Sequence, residues 1–131
     1  MPHENYLKVI LLAAVSDGEI QTSELAMINR LKQNHPIIRN ISDANAQRAA
    51  VDVYNKISAG MNVKYILDEL KEQLTEREQH VAYALAQEVI ATDFKLDQKE
   101  KDFISNLESY WNIPKEVIDV VTDSVNLRYF G

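Results

Sequence analysis

Only three glycines and three prolines interrupt 131 residues, and apolar side chains recur at helical spacing through most of the chain between them. That scarcity of breakers leaves room for little except helices packed on helices, so the expected fold class is all-α. The first helix is expected from about Glu4 to Ser16. It is apolar on every face, as befits a helix surrounded by the others. A turn at Asp17-Gly18 leads to a second helix from about Thr22 to Asn34, with Leu25, Ile28 and Leu31 facing inward. His35-Pro36 ends it, because the residue before proline avoids the α region. Ser42 is placed to cap a third helix through Ala59, with Gly60 in the left-handed position beyond its end. Asn62 opens a fourth helix to about Leu74. Thr75-Glu76-Arg77-Glu78 has capping-box spacing for a fifth, running to about Thr92. Asp97-Gln98-Lys99-Glu100 has the same spacing for a sixth, to Tyr110, and Pro114 suits the first turn of a seventh. The tail Leu127-Arg128-Tyr129-Phe130 is aromatic enough to be expected back on the bundle.

No linker, charge block or low-complexity segment divides the chain, and its length suits one domain over residues 1–131. Apolar residues at 46% and charged residues at 26% match a folded globular protein. Fourteen basic against twenty acidic side chains leave a net charge of −6, and the basic ones are scattered, so nucleic acid is not an expected partner. The absence of cysteine excludes thiolate nucleophiles, disulfides and thiolate metal sites, so a metal would need oxygen or imidazole ligands. The longest apolar run, Tyr6 to Val15 broken by Lys8, is about half of a membrane span. Residues Met1 to Asn5, with an acid and no Lys or Arg, do not suit a secretion signal. The expectation is a cytoplasmic protein without direct membrane insertion.

A weak internal repeat runs through the pattern. A shift of 76 residues lays Ala13-Ala14-Val15-Ser16-Asp17 on Val89-Ile90-Ala91-Thr92-Asp93. It also lays Ile20, Glu24, Ile28 and Leu31 on Leu96, Glu100, Ile104 and Leu107. Each copy reads apolar helix, Asp, two residues, aliphatic, three residues, Glu, apolar helix. A bundle of about seven helices with a pseudo-twofold arrangement of two acidic corners is the architecture expected.

The first corner, Asp17-Gly18-Glu19-Ile20-Gln21-Thr22-Ser23-Glu24, resembles the second half of an EF-hand calcium loop. The first and third ligand positions would fall on Ala13 and Val15, and in the second copy on Val89 and Ala91, none of which can donate an oxygen. Asp17, the Glu19 carbonyl and a bidentate Glu24 supply about four ligands where calcium takes ~6–8. Waters or carboxylates from the other copy would have to complete the shell. The same residues also suit a metal-free role. Glu24 and Glu100 fall in first turns, where a carboxylate caps free N–H groups, and Asp17 and Asp93 can make turn hydrogen bonds. Both readings stay open at this point.

Ala13-Ala14-Val15-Ser16-Asp17-Gly18-Glu19-Ile20 with Glu24, and Ile90-Ala91-Thr92-Asp93-Phe94-Lys95-Leu96 with Glu100, resemble the TerB-like proteins of bacterial tellurite resistance. The likeness covers most of the chain. It implies a seven-helix bundle, an acidic surface that binds a divalent metal, and association with other tellurite-resistance and stress-response components, a membrane protein among them. The acidic positions it implies are Asp17, Glu24, Asp93 and Glu100, with Glu19 and Asp97 beside them. The chain departs from the family pattern at Phe94-Lys95, where members often carry Gly and an acid, and Lys95 reduces the negative charge of the second corner.

Other candidates are sparser. Glu76 and His80, four apart on the fifth helix, could face one metal, but the Glu-x-x-His and His-Glu-x-x-His spacings are absent. His3 reads as a solvated terminus and His35 as a helix stop. Glu88 falls at the rim of an apolar stripe, and Trp111 reads as a core anchor. Neither Gly-x-Ser-x-Gly nor a phosphate-binding glycine loop occurs. The expected function is therefore a non-catalytic, TerB-like module of tellurite resistance or stress response. It would bind calcium, magnesium or manganese, protein partners, or both, through its two acidic corners, with self-association left open. The alternatives are a metal-dependent enzyme with carboxylate-bound ions in the bundle, and a metal-free protein adaptor.

Overall fold

The computed structural model describes residues 2–16, 24–93 and 98–130, and its helices begin and end where local chemistry directs. In chain order they are α1 (Pro2–Ser16), α2 (Glu24–Asn34), α3 (Asp43–Ser58), α4 (Val63–Gln73), α5 (Glu76–Asp93), α6 (Gln98–Tyr110) and α7 (Lys115–Val125). A 3-10 turn at Pro36–Ile38 joins α2 to α3, and a wider π-type turn at Asn126–Phe130 follows α7. No strand occurs among the described residues. The fold is all-α, as the sparse breakers require.

Three expected caps are in place. Ser42 Oγ accepts the Asn45 amide at 3.1 Å at the start of α3, and Asn62 Oδ1 accepts the Lys64 amide at 2.9 Å at the start of α4. Thr75 and Glu78 form the reciprocal box that opens α5: the Thr75 amide donates to Glu78 Oε1 at 2.9 Å, and the Glu78 amide donates to Thr75 Oγ1 at 3.2 Å. The second box, at Asp97, lies outside the described residues, as do residues 17–23 of the first corner. Gly60, at φ 85°, closes α3 with a Schellman pair, its own amide donating to Ile57 O and that of Met61 to Lys56 O, both at 3.0 Å. Asn112, at φ 51°, closes α6 in the same way, with the Ile113 amide reaching Glu108 O at 3.0 Å. Pro114 differs from expectation by one position. It is extended at ψ 144° and precedes α7 as its cap residue instead of entering the first turn.

α1 is the central helix. It packs against α3, α4, α5 and α6, and Leu7, Val9, Ile10, Leu11, Leu12 and Ala13 are all without solvent exposure. An isotropically apolar helix has no solvated face to offer, so the amphipathic helices close around it. Trp111 completes one side of the core: it is buried, and its indole N–H donates to Leu67 O at 2.9 Å, tying the end of α6 to the middle of α4.

The tail returns to the bundle in part. Arg128 Nη1 stands 2.7 Å from Glu88 Oε1, and the Tyr129 hydroxyl donates to the same oxygen at 2.9 Å. Leu127, expected to pack back on the bundle, is 79% exposed in the same turn. His35 stops α2 as expected, directly after its last residue Asn34. It is buried, with Nδ1 3.6 Å from Glu88 Oε2.

Candidate functional site

The two repeat copies meet directly, because α1 and α5, their first helices, pack against each other. Equivalent positions share equivalent burial: Ala13 and Val89 are fully enclosed, as are Leu31 and Leu107. His35 and Trp111, 76 residues apart, are both buried, and their amides donate to Leu31 O and Leu107 O at 2.9 and 3.0 Å. The repeat therefore extends beyond the acidic motif to the ends of α2 and α6. Ile28 and Ile104 are less well matched, the first buried and the second only partly so.

Each corner is the junction between the first and second helix of its copy. Asp93 is the last residue of α5 and Glu24 the first of α2. Thr92 closes α5 by returning its hydroxyl to Glu88 O at 2.9 Å. Asp17, Glu19 and Asp97 lie outside the described residues, and Glu24 and Asp93 are described by backbone alone. Glu100 is the sixth predicted acid, and its placement is the chief finding at the corners. It stands in the first turn of α6 with no solvent exposure, and among the described residues it and His35 are the buried polar side chains. Glu100 is therefore enclosed and not itself part of an exposed acidic surface.

The physical consequence is specific. Moving a carboxylate out of water costs several kcal/mol unless donors or a cation replace the lost hydration. The start of a helix supplies part of that through its free N–H groups and the positive end of the dipole. A bound cation is another group that replaces lost hydration by direct coordination, and hard oxygen ligands of this type suit calcium, magnesium or manganese. Among the described residues no group of three or more His, Asp or Glu converges on one point.

Glu76 and His80 do share a site. They line a polar cleft of about 310 Å³ with Lys71, Gln79, Trp111 and Asn112. Lys71 lines the same cleft, and no third ligand is gathered there among the described residues. Glu88 is half-buried at the core rim, as expected, and there three segments meet on it, with Arg128 and Tyr129 from the tail on its carboxylate and His35 facing it.

Sequence reasoning missed a polar network that joins α5, α6 and α7. The Tyr83 hydroxyl donates to Glu108 Oε2 at 2.5 Å, and Gln87 Nε2 donates to the Tyr83 oxygen at 2.6 Å and to Thr122 Oγ1 at 3.1 Å. Burial, followed by the bond to Glu108, pushes the Tyr83 phenol well above the ordinary tyrosine range. The available signal was the pair Tyr83 and Gln87, four apart on one face of α5, together with Glu108 four residues after Ile104 on α6.

Compared with protein-family models, curated proteins and solved structures, the chain matches none of them. Among the described residues no helix is long and apolar enough to cross a membrane.

Proposed function

We propose that this protein is a non-catalytic, TerB-like module of tellurite resistance or stress response, and that its two helix-helix corners bind a divalent cation, protein partners or both. The observation that carries the cation part is the burial of Glu100 in the first turn of α6. A carboxylate enclosed at a helix start is held by helix amides, by a cation or by both, and calcium, magnesium and manganese are the ions whose preference for hard oxygen ligands suits it. The repeated motif supports the same reading, since Asp17 with Glu24 and Asp93 with Glu100 occupy matching positions on two copies whose first helices touch. Glu19 and Asp97 would add oxygen ligands beside them. The family likeness of the two motifs suggests that partners are other tellurite-resistance or stress-response proteins, and the cytoplasm is the compartment it suits.

Titration of the metal-free protein with calcium, magnesium, manganese and zinc by calorimetry tests the cation reading. Binding of one ion tighter than ~1 mM, weakened in Glu100→Gln and in Asp17→Asn/Glu24→Gln, is the expected result. Absence of binding at that level ends the cation part. Partner capture that persists unchanged in chelator would then identify a metal-free adaptor.

A further inference from the structure

α6 and α7 both pack on α5 but make little contact with one another, and a cleft of about 370 Å³ is lined by residues of all three helices. Its size is that of the smaller small-molecule sites, which run from ~300 to ~1,000 Å³. Ile90 from α5, Ile104 from α6 and Val125 from α7 give it apolar walls. Glu108 lines it from α6, with the hydroxyl of Tyr83 on its Oε2.

The charge of Glu108 is what selects a ligand. Tyr83 is a neutral donor, and its raised pKa keeps it neutral through the physiological range. No Lys, Arg or His among the described residues forms an ion pair with Glu108. Lys101, the cation that lines the cleft, stands seven residues earlier on α6, about 10 Å along the axis, and is exposed, so salt screens most of its charge. A carboxylate set among aliphatic walls without a cation of its own is complementary to a positive group carried on a hydrocarbon body. The Gln87–Tyr83–Glu108 chain fixes the carboxylate by holding its other oxygen, and Thr122 anchors the same chain to α7.

We propose that the cleft between α6 and α7 binds a small aliphatic ammonium compound, with the ammonium on Glu108 and the hydrocarbon against Ile90, Ile104 and Val125. The cleft borders the α5–α6 corner at Ala91 and Lys101, but the ammonium is held by Glu108 and its binding does not depend on a cation at that corner.

Hexylamine, hexanol and hexanoate, titrated at pH 7 into the full chain with methyl signals followed by NMR, test this without any variant. Hexylamine is expected to bind at least about tenfold more tightly than the other two, the factor typical of one charge-assisted hydrogen bond, and to shift the methyls of Ile90, Ile104 and Val125. Glu108→Gln, which keeps an acceptor for Tyr83, is expected to reduce hexylamine to the level of hexanol. Equal binding of hexylamine and hexanol, no hexylamine binding at millimolar concentration, shifts confined to other methyls, or undiminished binding to a folded Glu108→Gln protein would each overturn the proposal. If the variant does not fold, the comparison of the three probes on the unaltered protein still upholds or overturns it.

Discussion

Gly60 has open space where a side chain would stand, so the cost of replacing it lies in the backbone alone. Gly60→Ala must hold a left-handed φ of 85° and is expected to lose about 1–2 kcal/mol of unfolding free energy in urea, with an unchanged slope. Asn112 fills the same role at the end of α6. Asn112→Gly should shift stability slightly the other way. Trp111→Phe removes the donor to Leu67 O while keeping most of the packing, and a loss of about 1–3 kcal/mol is expected. At this scale the sequence was most readable where the chemistry spans four residues or fewer. Ser42, Asn62, Gly60 and the Thr75–Glu78 box could all be placed from neighbours in the chain. Asn112 escaped because asparagine marks a left-handed position less distinctly than glycine, and the network at Tyr83 escaped because Glu108 and Thr122 are 25 and 39 residues away.

Between elements, ion pairs join α1, α3 and α4 in a row. Lys8 lies 3.1 Å from Asp52, Asp52 lies 3.2 Å from Lys56, and Lys56 lies 3.1 Å from Glu69. Partial burial pulls the Asp52 carboxyl upward, but the hydrogen bonds and charges of Lys8 and Lys56 outweigh it, and the net shift is below the ordinary value of 3.8. A carboxyl lowered by folding stabilises the protein fully above its unfolded pKa and loses that contribution as the pH falls through the folded one. Asp52→Asn should therefore cost little at pH 7, under about 1 kcal/mol because the group is partly solvated. Its difference from the natural protein should narrow as denaturation is followed below pH 3.8. The termini of helices were legible in the same local way as the caps, whereas the direction of the tail was not. Its aromatic composition suggested packing, but which side chains reach back to the bundle depended on Glu88, about 40 residues earlier.

For the molecule as a whole, α1 is the element on which the rest is assembled, and its even apolar character announced this before any packing was known. Leu11, fully enclosed, has nowhere to relax when truncated, and Leu11→Ala is expected to cost about 2–5 kcal/mol in chemical denaturation, a large part of the ~5–15 kcal/mol that holds a typical domain. The repeat was legible because its two copies share a spacing of apolar and acidic positions. Burial of Glu100 was not, because a first-turn glutamate reads identically whether it caps in water or is enclosed. The proposed cation site rests on that enclosed carboxylate. The most direct measurement is a crystal structure of the protein soaked in calcium, read at the α5–α6 and α1–α2 corners. An ion is expected within about 2.3–2.6 Å of a Glu100 carboxylate oxygen, with Asp93 in its shell. A corner in which both Glu100 oxygens accept only backbone amides, with no ion beside them at saturating calcium, would contradict it.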